Sequence, residues 1–174
     1  VLPETCITGY CCGSLFNNID FINENMASID KIAGYVPETL HVVLGFVDLL
    51  DIRKNGYPDI SNSVAIMNSG SIIYTYNKQC MANSGHHEDK KYFSPGTKSS
   101  IKDLTIRGQR LRVGTPICED VWFMDHVRNI PYEMVNMGAE ILLVCNQSYF
   151  TYDKMITRNK MYSDLNKQLQ IPII

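Results

Sequence analysis

The stretch Val113-Gly114-Thr115-Pro116-Ile117-Cys118-Glu119-Asp120-Val121-Trp122-Phe123 is a short apolar run that breaks abruptly into charge. Its first residues favour a β-strand, so the pattern places the thiol of Cys118 at the C-terminal tip of a strand. In α/β proteins that edge of a sheet is where binding sites form. A lone cysteine in a strand is more often a small buried hydrophobe. Here Glu119 and Asp120 follow at once, which indicates a polar cleft and makes Cys118 a candidate nucleophile.

The composition is ordinary for a globular protein with one core. The chain has 174 residues, of which 45% are hydrophobic and 20% are charged. The formal charge is -2 and no basic cluster stands out, which argues against electrostatic capture of nucleic acid. No apolar stretch approaches the roughly 20 residues that cross a bilayer, so we expect no membrane partner.

The six cysteines have irregular spacing, and the adjacent pair Cys11 and Cys12 does not suit a disulfide framework. No secretion-signal pattern opens the chain, so we expect reduced thiols and a cytoplasmic location. A zinc site built from Cys11, Cys12, Cys80 and either His86 or His87 is the alternative. Because the chain has no CxxC pair, no metal site is predicted.

The apolar periodicity predicts helices over residues 20–33, 127–137 and 153–168, and strands over 41–47, 63–67, 71–76, 110–118 and 140–145. Residues 83–102 are polar and carry glycine and proline, so a loop is expected there. The order of elements is that of a layered α/β protein with a mixed sheet. The chain starts abruptly at Val1 and stops at Ile174 in an Ile-rich segment, so we expect a piece of a longer polypeptide.

Polar residues stand where strands are expected to end in three places: Pro3-Glu4, Asp89-Lys90-Lys91-Tyr92-Phe93 and Ile117-Cys118-Glu119-Asp120. A carboxylate, an ammonium and a thiol make a complete set for amide cleavage. The carboxylate accepts the proton of the thiol, and the ammonium stabilises the oxyanion that forms. Ammonia leaves as a thioester forms, and water then completes the hydrolysis. Taken singly, these groups fit a surface acid, an exposed charge run and a packing thiol.

Together the segments resemble the nitrilase superfamily, in which a Glu, a Lys and a Cys follow in that order. More narrowly, the chain resembles the glutaminase (amidohydrolase) domain of glutamine-dependent NAD+ synthetase. The resemblance is carried by residues 2–10 (LPETCITGY), 83–96 (NSGHHEDKKYFSPG), 116–123 (PICEDVWF) and 138–150 (GAEILLVCNQSYF), followed by Lys154 and Arg158. It implies an α-β-β-α sandwich with mixed sheets, truncated at both ends. Residues 1–174 would form one partial glutaminase domain, without the synthetase domain.

The resemblance implies a catalytic role for three residues. Glu4 would be the general base, Lys90 the cation that stabilises the oxyanion, and Cys118 the nucleophile. Lys91 is the obvious rival of Lys90, but the Lys-x-Tyr-Phe register favours Lys90.

Three more residues are implied to bind the substrate. Glu119 and Ser148 fall where the family contacts the α-amino and carboxylate ends of glutamine, and Lys154 matches a basic position after that serine. The chain departs from the family at Tyr149, where proline is usual, and at two histidines just before Lys90.

The resemblance also implies the partners and cofactors. Glutamine is the expected substrate, and its ammonia would pass to an NAD+ synthetase domain in cis or in trans. The glutaminase step needs no cofactor, whereas ATP and Mg are expected only in the absent synthetase domain. We also expect a homo-oligomer. Two other hypotheses stay open: a stand-alone amidase or carbamoylase, and a catalytically silent assembly domain with the same fold.

Overall fold

The computed structural model describes residues 1–83, 85, 87–122 and 128–174. Its elements, in chain order, are a 3-10 turn (Gly13–Asn17), α1 (Ile19–Gly34), β1 (Val42–Ile52), β2 (Pro58–Asn68), β3 (Ser71–Asn77), α2 (Asp89–Tyr92), β4 (Ile101–Ile106), β5 (Gln109–Gly114), a second 3-10 turn (Cys118–Val121), α3 (Ile130–Asn136), β6 (Ile141–Leu142) and α4 (Lys154–Leu169).

The strands form two three-stranded sheets. The first has the order β1-β2-β3 and is antiparallel throughout. The second has the order β4-β5-β6, with an antiparallel pair β4-β5 and a parallel pair β5-β6. The predicted mixed sheet is therefore confirmed.

Side chains on β1 and β2 alternate between two apolar layers, as the two-residue period of a strand requires. Val43, Val64 and Ile66 pack in one cluster with Leu104 and Val113 of the second sheet. The residues between them face the other way and pack on α1, in a cluster that contains Leu44, Phe46, Ala65, Met67, Ile29 and Ala33. The first sheet is thus covered by the second sheet on one face and by α1 on the other.

Helices α3 and α4 cover the outer face of the second sheet. Ile130 and Met134 of α3, and Leu165 and Leu169 of α4, belong to the same core cluster as the second sheet. At Gly114 of β5 a Cβ atom would lie 2.7 Å from Cδ2 of Leu142 and 3.0 Å from Sδ of Met134, so only glycine lets α3 approach this closely. The layer order is α-β-β-α, as expected.

The N-terminal half of the fold follows the sequence prediction closely. Helix α1 matches the predicted helix 20–33, and the side chain of Asn18 caps it by accepting from the N–H groups of Asp20 and Phe21. Strands β1, β2 and β3 match the three predicted strands, although β1 begins at residue 42 and continues to residue 52; a hairpin at residues 68–71 joins β2 to β3. The predicted loop 83–102 is wrong in two places, because residues 89–92 form α2 and β4 begins at residue 101.

The strand that was expected to carry Cys118 ends earlier than predicted. Strand β5 stops at Gly114, and Pro116 has no N–H to donate to a ladder. Cys118 therefore begins the second 3-10 turn instead of closing a strand. The start of the predicted helix 127–137, Val127, lies outside the described residues, and α3 begins at Ile130.

Within the described ranges, no helix combines the length and the apolar character that crossing a bilayer requires. All six cysteines are free thiols.

Candidate active site

Glu4 lies on a segment that pairs with β1 through its backbone. The N–H of Leu2 donates to the carbonyl of Val43 (2.8 Å), and the N–H of Cys6 donates to the carbonyl of Gly45 (3.0 Å). A Cβ at Gly45 would lie 2.4 Å from the Pro3 carbonyl oxygen and 2.6 Å from Cα of Glu4. Glycine at this position lets the backbone of Glu4 lie directly against the sheet, where its side chain is fully buried.

Lys78 follows β3 directly and points into the same buried space. Its N–H donates to the carbonyl of Asn62 (2.9 Å), and its side chain is fully buried. The ammonium Nζ lies 2.6 Å from Oε1 of Glu4 and 2.7 Å from Oδ2 of Asp89. Burial by itself lowers the pKa of this ammonium, but Glu4, Cys118 and Asp89 together raise it well above its ordinary value.

Further hydrogen bonds orient the Glu4 carboxylate. Nδ2 of Asn62 donates to its Oε1 (2.7 Å), and the N–H of Gln147 donates to its Oε2 (3.1 Å). Each carboxylate oxygen therefore has a fixed donor from a different part of the fold.

The Asp89 carboxylate is held in the same way from the opposite side of Lys78. Oδ2 accepts from the N–H of Ala82 (3.0 Å), and Oδ1 accepts from the hydroxyl of Tyr10. Lys78 is thus clamped between two oriented carboxylates.

Cys118 brings its thiol to this group from the second 3-10 turn. Its φ of +39° lies in the left-handed region, which is strained for a residue with a Cβ. Its N–H donates to the carbonyl of Cys145 (3.0 Å), and its Sγ donates to the carbonyl of Gln147 (3.5 Å). Burial raises the pKa of the thiol, its hydrogen bond to the Glu4 carboxylate raises it further, and Lys78 opposes both.

This arrangement suits a thiol that is protonated at rest and gives up its proton only during attack. With both carboxylates ionised, Glu4, Asp89 and Lys78 carry a net negative charge, which disfavours a thiolate beside them. Glu4 is an oriented acceptor for the proton, and Lys78 places a positive charge where negative charge develops.

The structure does not bring Lys90 to this group, so the predicted triad needs a correction: the lysine beside Glu4 and Cys118 is Lys78. Helix α2 is a single turn, and Asp89 and Tyr92 share its buried face because they are three residues apart. Lys90 projects from the other side and is exposed. It lines a separate surface depression of about 510 Å³ with Gln79 and Arg128.

The three predicted substrate residues lie on segments that adjoin the site. Glu119 follows it in the turn and is half-buried, and Ser148 follows Gln147, whose N–H binds Glu4. The ammonium of Lys154 lies 4.5 Å from the ring centre of Trp122 and 5.1 Å from that of Tyr149, as in cation–π contacts.

Three side chains that hydrogen-bond directly to Glu4 or to Lys78 were missed in the sequence: Lys78, Asp89 and Asn62. A signal for Lys78 existed, because it is a charged residue directly after an alternating strand, where binding residues collect. Asn62 lies inside β2, and nothing in the local sequence distinguishes it from a solvent-facing strand residue.

Cys145 is a core residue whose backbone carbonyl accepts a hydrogen bond from the N–H of Cys118. Its thiol belongs to the hydrophobic cluster between the second sheet and the helices, and burial raises its pKa to about 12. Of the zinc ligands considered, His86 lies outside the described residues. Elsewhere in the described chain, no group of three or more His, Cys, Asp or Glu side chains is arranged to hold a metal ion.

The family model for carbon-nitrogen hydrolases matches residues 1–170. The glutamine-dependent NAD(+) synthetase of Thermotoga maritima is 28% identical over 153 residues, which are 87% of this chain and 24% of that protein. The enzyme of the same name from Acinetobacter baylyi is 27% identical over 174 residues, which are 100% of this chain and 29% of that protein. The chain therefore spans less than a third of the length of these relatives.

Solved structures give the same picture. The glutamine-dependent NAD+ synthetase of Acinetobacter baumannii, in complex with ADP, has a TM-score of 0.83 at 26% identity. That match covers 99% of this chain and 30% of the other. A carbon-nitrogen hydrolase from Helicobacter pylori has a TM-score of 0.64 at 20% identity, covering 97% of this chain and 54% of the other, which shows a shared fold.

Proposed function

Because the chain belongs to the carbon-nitrogen hydrolase family, we propose that it hydrolyses the side-chain amide of glutamine with Glu4, Lys78 and Cys118. The observation that carries the proposal is the meeting of these three side chains, distant in sequence, in one buried polar group. Lys78 takes the role that the sequence resemblance assigned to Lys90.

In the first half of the reaction, Sγ of Cys118 attacks the amide carbon while its proton passes to the Glu4 carboxylate. The carbonyl oxygen becomes an oxyanion, which the Lys78 ammonium stabilises. The carbon–nitrogen bond then breaks, the proton held by Glu4 moves to the leaving nitrogen, and ammonia departs. A thioester between Cys118 and the γ-carbonyl of the substrate remains.

In the second half, Glu4 takes a proton from water, and the hydroxide oxygen attacks the thioester carbon. The carbon–sulfur bond breaks, and the thiol of Cys118 recovers its proton. Glutamine and water thus become glutamate and ammonia, with the protein unchanged. The second carboxylate, Asp89, keeps Lys78 charged and in place through both halves.

A free amino acid as substrate is supported by opposite charges on the segments that adjoin the site. Glu119 supplies a carboxylate for the α-ammonium group, and Lys154 supplies a cation for the α-carboxylate. Ser148 adds a hydroxyl next to Gln147. The relatives named glutamine-dependent NAD(+) synthetase make glutamine the preferred candidate among such amides.

We further propose that residues 1–174 belong to a glutaminase domain whose ammonia serves NAD+ synthesis, by a synthetase domain in cis or in trans. ATP and Mg would be used by that domain, because the hydrolysis written above balances with water alone. Assembly as a homo-oligomer and a cytoplasmic setting complete the proposal, the latter supported by six free thiols.

The test measures ammonia release from glutamine by the wild type and by Cys118→Ala. We expect turnover by the wild type and a loss of at least about 1,000-fold in the variant, because the covalent route is removed. Cys11→Ala is the matched control, since it removes an exposed thiol and should leave turnover unchanged.

A panel with acetamide, propionamide and N-carbamoyl amino acids separates the competing functions. Turnover of simple amides without turnover of glutamine would contradict the glutaminase proposal and indicate a stand-alone amidase or carbamoylase. No turnover of any amide, together with equal alkylation of all six cysteines, would indicate an assembly domain.

A further inference from the structure

Asp120 is a fully buried carboxylate at the end of the turn that presents Cys118. Its two oxygens accept four hydrogen bonds, all within ordinary distance. Oδ1 accepts from the N–H groups of Gln79 (3.1 Å) and Cys80 (2.8 Å). Oδ2 accepts from the N–H of Ile117 (3.0 Å) and the hydroxyl of Tyr76 (2.9 Å).

These four bonds join two segments that each supply a reacting group. Gln79 and Cys80 directly follow Lys78, whereas Ile117 directly precedes Cys118. The Asp120 side chain therefore links the turn that carries Cys118 to the backbone that follows Lys78. Burial raises the pKa of Asp120, and its hydrogen-bond donors oppose that rise.

We propose that Asp120 is a positioning residue that sets the distance and direction between Lys78 and Cys118. It contacts neither substrate nor reacting atoms; it acts through the backbone of residues 79–80 and 117–118. The predicted effect on turnover rests on the proposed function. The predicted effect on the alkylation rate of Cys118 does not, so it tests the link between the two segments separately.

A carboxylate is needed because every partner of Asp120 can donate. Asparagine at this position would keep one acceptor oxygen and turn an NH2 group toward the other pair of partners. If the oxygen stays on Gln79 and Cys80, the amide faces the N–H of Ile117, and two donors oppose each other. The bond to the N–H of Ile117 is then lost, and the segment that carries Cys118 shifts relative to Lys78.

The experiment compares Asp120→Asn with the wild type by the rate of Cys118 alkylation with iodoacetamide, followed by mass spectrometry, and by glutamine turnover. We expect both the alkylation rate and kcat to fall by about 100-fold, because small misplacements of reacting groups have effects of this size. KM should stay within about threefold, since Asp120 does not touch the substrate. Tyr76→Phe removes only one of the four bonds and should give a smaller loss of the same kind.

Asn25→Ala is the control for general destabilisation. Asn25 is a buried amide that joins α1 to β1: its Nδ2 donates to the Val47 carbonyl (2.5 Å), and its Oδ1 accepts from the Val47 N–H (3.4 Å). It should lower the melting temperature without changing the Cys118 alkylation rate of the folded protein. If Asp120→Asn behaves like Asn25→Ala, Asp120 is only a packing residue and the inference is overturned.

If Asp120→Asn does not fold, Tyr76→Phe provides the test. A wild-type rate of Cys118 alkylation in that variant would also overturn the inference. If the wild type releases no ammonia from glutamine, the proposed function fails. The alkylation rates of the same variants then still decide the role of Asp120.

Discussion

Lys78 and Lys90 are near neighbours in the sequence and lie in opposite environments. Lys78 has no exposed surface and is bonded to two carboxylates, whereas Lys90 is exposed on a one-turn helix. Removing an ammonium from water is costly unless opposite charges and hydrogen bonds replace the lost solvation. In this protein the ion pairs of Lys78 with Glu4 and Asp89 offset that cost. Lys90 remains hydrated and needs no such partners.

The largest difference should appear when each lysine is replaced by methionine. Lys78→Met leaves two buried carboxylates without their cation, which costs about 3–5 kcal/mol of stability. Loss of oxyanion stabilisation should lower kcat by about 1,000-fold. Lys90→Met should change the free energy of unfolding by no more than about 0.5 kcal/mol and leave kcat unchanged.

Urea unfolding and ammonia-release assays on both variants test this difference. A loss of turnover in Lys90→Met together with normal turnover in Lys78→Met would show that the exposed lysine, and not the buried one, takes part in the reaction.

A second pair of variants extends the comparison to two glycines. At Gly45 an added Cβ meets backbone atoms of Pro3 and Glu4 at 2.4–2.6 Å, whereas at Gly34 nothing lies within 4 Å. Gly45→Ala should cost about 1–3 kcal/mol, as overpacking does, and should lower kcat because Glu4 is displaced. Gly34→Ala, at the end of α1, should raise stability by about 0.5–1 kcal/mol.

Thermal melts and turnover rates would check both glycine variants. If Gly45→Ala kept full turnover, the position of Glu4 would not depend on its close contact with β1.

The smallest expected effect concerns His87, which stands between Lys78 and Lys90 in the sequence. Its side chain is half-buried. Its ring lies 5.1 Å from that of Tyr10 and 5.3 Å from that of Tyr149, measured between centres. Burial lowers its pKa below the ordinary value of 6.5. The unfolded chain therefore binds more protons than the folded one at acid pH, so stability is lost as the pH falls below 6.5.

His87→Phe keeps the ring contacts and removes the titration. Between pH 7 and pH 5 the melting temperature of the wild type should fall further than that of the variant, and at pH 8 the pH-dependent difference should vanish. Parallel curves over the whole range would mean that the His87 pKa is the same in the folded and unfolded states.

The fold was largely predictable because its central elements have strong local periodicity. Buried positions repeat with helical spacing in α1, whereas β1 and β2 contain continuous buried runs that are covered on both faces, and the sequence shows both patterns. Strand β4 was missed because only Leu104 of its six residues is buried and half of them are polar. Its pairing with β5, through a turn in which Arg107 and Gly108 have positive φ, is a tertiary feature.

The site was predictable only in part. Glu4 and Cys118 were named from short motifs, and the structure brings them together; their catalytic roles remain proposals. The lysine was assigned by register within a charged segment, which led to Lys90. Nothing local reveals that Lys78 turns inward toward Glu4, because that depends on the pairing of β1, β2 and β3.

The amino-acid sequence alone determined the layered α/β architecture, the family resemblance and the candidacy of one acid and one thiol. These follow from side-chain periodicity and from short runs of residues that act locally. The tertiary structure decided which lysine joins them and which buried carboxylates hold it, as well as the link through Asp120. Those choices depend on distances between segments far apart in the chain, and on the high cost of leaving a buried charge without a partner.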